Sequence, residues 1–370
     1  MKYSIEEKTV DWLVNLIENK SIDLNPSYQR NFIWSPNDQK ELIDTIILNL
    51  PLPSFFLYLM PNGKYEMIDG QQRSKTIHRF VKGILTSSKS TGALTIKDIN
   101  ILDYRLPIII ITDLTANDDL KNFYVLINKK GKHLNKPEVY KSEFHDTNFL
   151  KLSNEILTNQ KFIELNLFTE ASSKRMNDRA FVEELLGYLL VGIKDKKNHI
   201  EQIYKEDIVE RDIILLETTF NEIITVIHEF NKIKPIKNTR YKQKNDFFTL
   251  FNFVKENINM DLSLLKYQYQ ILLILDGKDD KGRQFIRPTN EDCPPLQNYA
   301  TNCVSQSNSK KARESRLNFF NEILKNQELE NNENLIEVTK YLESIYGENS
   351  IEFLNFEGFE IINTTKILIP

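Results

Sequence analysis

The residues with the greatest chemical potential stand together in one short segment, Asp-Gly-Gln-Gln-Arg at positions 69–73. The segment follows an apolar, strand-like run at 65–68 and precedes a helical pattern with Ile77 and Phe80 on one face. The first turn of a helix has unpaired N–H groups and the positive end of the helix dipole. A glycine there lets a ligand approach the backbone, and Arg73 supplies a forked cation for phosphate. This pattern predicts a binding site for a phosphate-bearing ligand.

Ordinary helix capping explains part of the same segment. Asp69 can cap a helix, with Gln72 three positions later as in a capping box, while Gly70 permits the tight turn. That explanation leaves Gln71 and Arg73 without a role. A Walker-type phosphate loop is excluded, since its glycines and its Gly-Lys-Ser/Thr end are absent. The residues alone leave capping and anion binding both open.

Composition limits the kinds of protein this chain can be. Its 370 residues suffice for two domains, and 48 basic against 52 acidic side chains give a net charge of −4. Contact with nucleic acid is therefore expected only at a local patch. Two cysteines ten positions apart, Cys293 and Cys303, indicate neither a disulfide framework nor a zinc site. Because neither a signal peptide nor a membrane-spanning run is evident, we expect a cytoplasmic protein that does not contact membranes.

The elements that must position the 69–73 segment predict a small mixed α/β domain. Ser35-Pro36 opens a helix in the preferred way, and the apolar residues of that helix form one stripe over 42–50. Two β-rich runs around the turn at 61–63 predict a hairpin that leads into the segment. A helix over about 74–82 follows it, and a continuous apolar run farther on predicts a buried strand.

Strand signals nearly vanish after about residue 145, where apolar residues recur at helical spacing. The predicted fold class is therefore α+β. It comprises a mixed α/β amino-terminal domain over 1–145, a mostly helical domain over 146–345 and a strand-like tail over 346–370.

Two segments resemble the signature boxes of a known family. "DLNPSYQRNFIWSPNDQKELIDTI" and "YEMIDGQQRSKTIHRF" look like those of the GmrS-type family, the amino-terminal half of GmrSD restriction enzymes that attack modified phage DNA. Their order is also similar to that of the ParB and sulfiredoxin superfamily, which implies a ParB-like fold for the first domain. Two further stretches, which contain Glu138 and Arg175, resemble the family's Asn-x-x-Gly-x-x-Leu-x-x-x-Glu and Arg-Met-x-Asp segments. The resemblance covers about residues 5 to 200.

For that family, Asp-Gly-Gln-Gln-Arg implies binding and hydrolysis of a nucleoside triphosphate, GTP or ATP, together with Mg²⁺. Carried onto this chain, the resemblance implies that backbone N–H groups hold the phosphates at Gly70, Gln71 and Gln72. Arg73 clamps the phosphates from an exposed position, so its replacement by alanine is expected to leave the melting temperature nearly unchanged. Arg30 adds a second cation, and Gln29 adds a polar contact.

The same resemblance suggests which residues act in catalysis. Asp69 holds Mg²⁺ or positions water, Gln72 orients the attacking water, and Arg73 completes the catalytic group. For Asp69, a role as helix cap alone is an equal alternative.

Three basic runs are candidates for DNA contact. They begin at positions 128, 232 and 309, and the second contains Tyr241, which can stack on a base. The residues predicted to contact the DNA backbone are Lys129, Lys130, Lys132, Arg240, Lys242 and Lys244. Solvated loop charge is the alternative explanation of each run.

The expected function is that of a regulatory nucleoside triphosphatase, a sensor in bacterial restriction-like defence against phage. This chain lacks the His- and Asn-rich nuclease half of the two-part enzymes, so a separate nuclease is the expected partner and phage DNA the expected target. Two alternatives remain: a self-sufficient ParB-fold endonuclease that nicks DNA with a metal ion, and a non-enzymatic DNA-binding adaptor. The sequence leaves open the nucleotide, the DNA modification and the oligomeric state, a homo-oligomer included.

Overall fold

The structure is a computed structural model that describes residues 1–29, 32–86, 101–115, 119–128 and 136–367. The chain divides into two units. Unit 1 comprises Met1–His145 and Glu170–Asn177, and unit 2 comprises Asp146–Thr169 and Asp178–Pro370. A mixed sheet lies in unit 1 and helices dominate unit 2, which confirms the predicted α+β class. Among the helices described, none has the length and apolar character needed to cross a membrane.

Unit 1 is built on a five-stranded mixed sheet with helices on both faces. The strands are β1 (Lys2–Thr9), β2 (Ile22–Asp23), β3 (Phe55–Leu59), β4 (Tyr65–Asp69) and β5 (Arg105–Asp113). The helices up to residue 145 are α1 (Val10–Glu18), α2 (Pro36–Ile47), α3 (Gln71–Val81), α4 (Leu120–Asn128) and α5 (Lys136–Glu143). The strand order is β1-β5-β3-β4-β2; β1 and β5, and likewise β3 and β4, are antiparallel, while β3 is parallel to β5 and β2 to β4.

The two faces of this sheet are buried by different helices. On one face α1, α2 and α3 pack on alternate strand residues such as Leu57 and Met67. On the other face Tyr124 of α4 packs with Ile68 and Ile111. Because successive strand residues point to opposite faces, Met67 and Ile68 at the end of β4 enter separate cores.

Helix α2 and the β3–β4 hairpin confirm the sequence-based predictions for this region, except that α2 ends at Ile47 and leaves Leu50 of the predicted stripe exposed. Ser35 caps α2 in a capping box: its hydroxyl accepts from the N–H of Asp38, and the Asp38 carboxylate accepts from the N–H of Ser35 at 2.9 Å. Pro36 occupies the first turn, where a missing N–H costs nothing. The buried stripe of α2 includes Ile43 and Ile46. Local capping and hydrophobic periodicity therefore suffice to define this helix.

Unit 2 is a helical assembly that ends in a β-hairpin. The remaining helices are α6 (Asn148–Ile156), α7 (Gln160–Glu164), α8 (Glu170–Lys174, within unit 1), α9 (Asn177–Val191), α10 (Lys196–Glu206), α11 (Glu210–Ile233), α12 (Lys244–Glu256), α13 (Leu262–Leu275), α14 (Pro294–Val304), α15 (Lys310–Leu324) and α16 (Glu333–Tyr346). The hairpin consists of β6 (Phe353–Phe356) and β7 (Phe359–Ile362). Ile361 and Ile362 are fully buried, and the N–H of Glu360 donates to the carbonyl of Asn326 at 2.7 Å. The hairpin thus packs into unit 2.

Candidate functional site

The chain turns from β4 into α3 at Gly70. Its φ of 114° lies in the left-handed region, and a Cβ at this position would lie 2.5 Å from Cδ1 of Phe55. Only glycine meets both conditions. Gly70 is the N-cap and offers no side-chain acceptor to the first turn, so the expectation that Asp69 caps this helix is wrong. The helix begins at Gln71 rather than near Ser74, which places the whole Gln-Gln-Arg sequence in its first turn.

A pocket of about 510 Å³ opens at this turn. It lies within unit 1, between the end of β4, the first turn of α3, and helices α2 and α4. Among the described residues, its charged lining consists of Asp38, Glu41, Asp69 and Arg73. Its apolar lining includes Trp34, Leu42, Pro53, Ile68, Tyr124 and Ile127. A volume of this size, with apolar walls and a few convergent polar groups, is typical of small-molecule sites.

Arg73 lies in the wall of the pocket and is buried, contrary to the exposed clamp expected from the sequence. Its Nη1 donates to the carbonyl of Pro53, and its Nη2 donates to the carbonyl of Ser54 at 3.1 Å and to Oδ2 of Asp69 at 2.8 Å. The guanidinium also lies 4.4 Å from the ring centre of Phe55. Burial lowers the pKa of Arg73, and the Asp69 carboxylate opposes that shift. Arg73 therefore ties α3 to β3 and fixes the carboxylate of Asp69.

The two glutamines of the segment hold the chain that precedes α2. Oε1 of Gln72 accepts from the N–H groups of Ile33 at 2.8 Å and Trp34 at 3.2 Å, while its Nε2 donates to Oε1 of Gln71 at 2.9 Å. Nε2 of Gln71 donates in turn to the carbonyl of Leu24 at 2.8 Å. The side chain of Gln72 thus positions a neighbouring segment while it also lines the pocket. Its predicted role of orienting an attacking water stays a prediction.

The first sequence box lies next to this network. Gln29 is buried, and its Nε2 donates to the carbonyls of Met67 and Ile68 on β4. The carbonyl of Gln29 accepts from Nζ of Lys141 at 3.0 Å. Gln29 also lines the pocket. Arg30, the predicted second cation, lies outside the described residues.

Asp69 lines the pocket beside Arg73. Its side chain is 36% exposed while that of Arg73 is 10% exposed, so the carboxylate faces solvent and the guanidinium does not. Among the residues that the structure describes, no group of three or more His, Cys, Asp or Glu side chains is arranged to bind a metal ion. A magnesium ion at Asp69 would therefore complete its coordination with phosphate oxygens and water, as Mg²⁺ commonly does.

Sequence reasoning missed several residues that line the pocket, among them three with acidic or phenolic groups. Asp38 and Glu41 lie on α2, and Tyr124 lies on α4. The acids on α2 had a detectable signal, because they stand three positions apart on the polar face of a helix whose apolar stripe was recognised. Tyr124 had none, since it reaches the pocket only through the packing of α4 on the sheet.

The arginine and the tyrosine of the second basic run are buried in unit 2, whereas most of its lysines are exposed. Nε of Arg240 donates to Oδ1 of Asp246 at 2.8 Å, and its Nη1 donates to the carbonyl of Ile286 at 3.0 Å. Arg240 is 6% exposed and Tyr241 is fully buried. The predictions that Arg240 contacts the DNA backbone and that Tyr241 stacks on a base are wrong, because neither side chain reaches the surface.

The other predicted DNA contacts divide into exposed and undescribed residues. Lys242 and Lys244 are exposed, and Nζ of Lys244 lies 5.6 Å from the ring centre of Phe168. Lys129, Lys130 and Lys132 lie outside the described residues. The third run resembles the second: Arg313 pairs with Glu184 and Arg316 is fully buried.

Two of the stretches that carried the family resemblance meet in unit 1. Nη2 of Arg175 lies 3.3 Å from Oε2 of Glu138, whose side chain is fully buried. The pair joins α5 to the segment that follows α8. Because the Glu138 side chain is buried while that of Arg175 is 30% exposed, the pair indicates a structural role for Glu138.

The comparisons with known proteins agree with the sequence boxes. No curated protein and no solved structure matches the chain. The model of one family, the GmrSD restriction endonuclease N-terminal domain, matches residues 13–100. This range includes both boxes, the turn at Gly70 and most of the pocket lining. The predicted resemblance to the GmrSD family is therefore confirmed for residues 13–100.

Proposed function

We propose that unit 1 binds a nucleoside triphosphate with Mg²⁺ in the pocket at Gly70, and that the bound nucleotide regulates restriction-like attack on DNA. The observation that carries the proposal is the side-chain-free N-cap at Gly70, which opens the first turn of α3 to the pocket. A helix start of this kind binds anions through its N–H groups and its dipole. The match to the GmrSD N-terminal domain supports the link to restriction of DNA.

The charges of the pocket predict that nucleotide binding depends on the metal ion. The described lining contains three carboxylates, those of Asp38, Glu41 and Asp69, and one guanidinium, that of Arg73. Its net charge is therefore −2. A triphosphate is itself strongly anionic, and repulsion would oppose its entry. A divalent cation between Asp69 and the phosphates removes this repulsion. We therefore expect weak binding without Mg²⁺.

Different residues at the pocket contact the different parts of the nucleotide. The first turn of α3 receives the phosphates, and Arg73 holds the Asp69 carboxylate at the pocket. Trp34 and Tyr124 supply apolar surface for the base or sugar. Gln72 connects this turn to the backbone of residues 33 and 34, so displacement of α3 by the nucleotide would move the segment before α2. Such a linkage suits a regulatory protein that works with a separate nuclease.

Calorimetric titration with each of the four ribonucleoside triphosphates, with and without Mg²⁺, tests the proposal. The diagnostic variant is Asp69→Asn, which keeps an acceptor for Arg73 but removes the charge. Its matched control is Asp113→Asn. Asp113 likewise ends a strand of the same sheet and pairs with a cation, Lys2 at 3.0 Å, but does not line the pocket. Circular dichroism confirms that each variant is folded.

The expected result is binding that depends on Mg²⁺. Its affinity is expected to fall at least tenfold in Asp69→Asn, a loss of about 1.4 kcal/mol of binding free energy, and to stay unchanged in Asp113→Asn. Equal binding by both variants would refute the site. Release of phosphate, measured with and without duplex DNA, then separates a hydrolysing switch from a nucleotide-binding sensor. Nicking of plasmid DNA by the purified chain would instead support the self-sufficient endonuclease. DNA binding that falls with salt and ignores nucleotide would support the adaptor.

A further inference from the structure

Strand β1 forms an edge of the sheet in unit 1. Among the described residues it pairs only with β5, so its outer side offers backbone N–H and C=O groups for another strand. Tyr3 and Ile5 on β1 are 63% and 73% exposed. Both lie on the face that carries Ile111, because Tyr3 stands opposite Ile111 in the register. Two large apolar side chains on an open edge indicate a surface for association.

The sequence of β1 is complementary to itself when two copies run antiparallel. A two-fold axis through Ser4 places Lys2 opposite Glu6 of the second copy and Tyr3 opposite Ile5 of the second copy. Symmetry repeats each pair on the other side of the axis. Pairs of opposite charge, and pairs of an aromatic with a β-branched residue, are favourable directly across an antiparallel ladder.

The registers centred on Ile5 and Glu6 lose this complementarity. If one β1 strand slipped by one residue, paired side chains would point to opposite faces of the sheet. Only registers whose two-fold axis passes through a residue therefore need to be compared. An axis through Ile5 opposes Lys2 with Lys8 of the second copy and Tyr3 with Glu7 of the second copy. An axis through Glu6 opposes the two Glu6 carboxylates. Among these three registers, that centred on Ser4 alone aligns both charges and apolar groups.

We infer that β1 is a homodimerisation edge, at which a second copy of this chain adds its own β1 antiparallel and centred on Ser4. The two five-stranded sheets then become one continuous sheet. In the single chain Lys2 contacts Asp113 at 3.0 Å and Glu6 contacts Lys8 at 2.8 Å. Solvent reaches all four side chains, so these ion pairs are weak and exchange readily for pairs between copies.

Disulfide cross-linking of the full chain tests this register. In the Ser4→Cys variant the two cysteines face each other across the axis, within the distance a disulfide can span. In the control variant Glu6→Cys, on the same face of β1, the two Cα atoms are about 14 Å apart along the strands, beyond the reach of about 7 Å. The native cysteines, Cys293 and Cys303, are buried and do not interfere. Mild oxidation is expected to give a covalent dimer from Ser4→Cys and none from Glu6→Cys.

Charge exchange gives an independent test by sedimentation velocity. Lys2→Glu and Glu6→Lys each create two like-charge pairs and are expected to weaken the dimer roughly tenfold. The double variant restores opposite charges and is expected to recover the dimer. Since both side chains are exposed at least in part, folding is expected to survive each change.

Three results would overturn the inference. The first is a wild-type chain that stays monomeric at the highest concentration tested. The second is a covalent dimer from Glu6→Cys with none from Ser4→Cys, which would place the contact in another register. The third is a double charge variant that dimerises no better than the single variants.

Discussion

Replacing Arg73 with alanine is expected to destabilise unit 1 by about 2–4 kcal/mol. The change removes charge-assisted hydrogen bonds to the carbonyls of Pro53 and Ser54, each worth roughly 1.5–3 kcal/mol. It also removes the contact with the Phe55 ring, worth about 0.5–2 kcal/mol. Because the Asp69 side chain is 36% exposed, water can hydrate its carboxylate once Arg73 is removed. This hydration offsets part of the lost free energy of unfolding. The net loss is therefore smaller than the sum.

Thermal unfolding followed by circular dichroism measures this effect. A loss of about 2–4 kcal/mol corresponds to a fall in melting temperature of at least about 4 °C for a unit of this size. The matched control is Arg105→Ala, on β5 of the same sheet. The Arg105 side chain is 70% exposed and its Nη1 lies 3.7 Å from Glu7, so its loss costs at most about 1 kcal/mol.

The comparison of the two arginine variants shows whether the Arg73 side chain is buried or exposed. If Arg73→Ala melts at the same temperature as Arg105→Ala, then Arg73 is exposed, as the sequence pattern predicts, and our account of its burial is refuted. If it melts well below Arg105→Ala, loss of nucleotide binding by the same variant says nothing about phosphate contact. Asp69→Asn is then the informative change.

Three further predictions concern unit 2. Arg240→Ala is expected to lower the free energy of unfolding by about 3–5 kcal/mol, because it leaves the carboxylate of Asp246 buried without its cation. A urea titration measures this loss. Normal stability together with weakened DNA binding would instead support a DNA-contact role for Arg240. Burial raises the pKa of Asp276 above its ordinary value, so its negative charge opposes folding at neutral pH, and this penalty disappears as pH falls through the raised pKa. Asp276→Asn is thus expected to be more stable than wild type in urea at pH 7 and no more stable near pH 3; an advantage that persists in acid would contradict this sign. Burial raises the pKa of Cys293 to about 11 and that of Cys303 to about 12, so a thiol reagent at pH 8 is expected to label neither until the chain unfolds; rapid labelling of the native chain would refute their burial.

Elements with strong local signals were predictable from the sequence. The serine cap, the proline and the apolar stripe define α2, and the turn at 61–63 defines the β3–β4 hairpin. Strand β1 was missed because half of its eight residues are charged and only two of them, Tyr3 and Ile5, are large and apolar. Strand β2 has two residues, too few to carry any pattern.

The candidate site was predictable in position but not in the roles of its side chains. Asp69–Arg73 does border the pocket, as the residue types indicated. The side chains of Arg73 and Gln72 bind backbone groups about 20 and 39 positions away in sequence, respectively. These partners determine which side-chain atoms remain available to a ligand. No local pattern encodes such contacts.

The same limit explains why Arg240 was wrongly predicted to contact DNA. Charge counted along the sequence does not show where the compensating carboxylates lie. Arg313 pairs with Glu184, which stands 129 positions earlier on α9. A buried arginine requires such a partner or several carbonyls, because an isolated charge in the interior is costly. Arginines within an apolar helical pattern, such as Arg313 and Arg316 on α15, are thus weaker evidence for nucleic-acid contact than the exposed Lys242.

In the Asp-Gly-Gln-Gln-Arg turn, structural and functional roles belong to different atoms of the same residues. The side chains of Gln71, Gln72 and Arg73 are directed at least in part to carbonyls and N–H groups of neighbouring segments. Those bonds fix the turn so that the start of α3 and the carboxylate of Asp69 face the pocket. Capping by Asp69 is wrong because Gly70 is the N-cap. Under the proposed function, the side chains build the turn, and the backbone and Asp69 meet the ligand. It follows that variants of Gln72 or Arg73 will lose stability and binding together, and that a change in binding alone is expected only at Asp69.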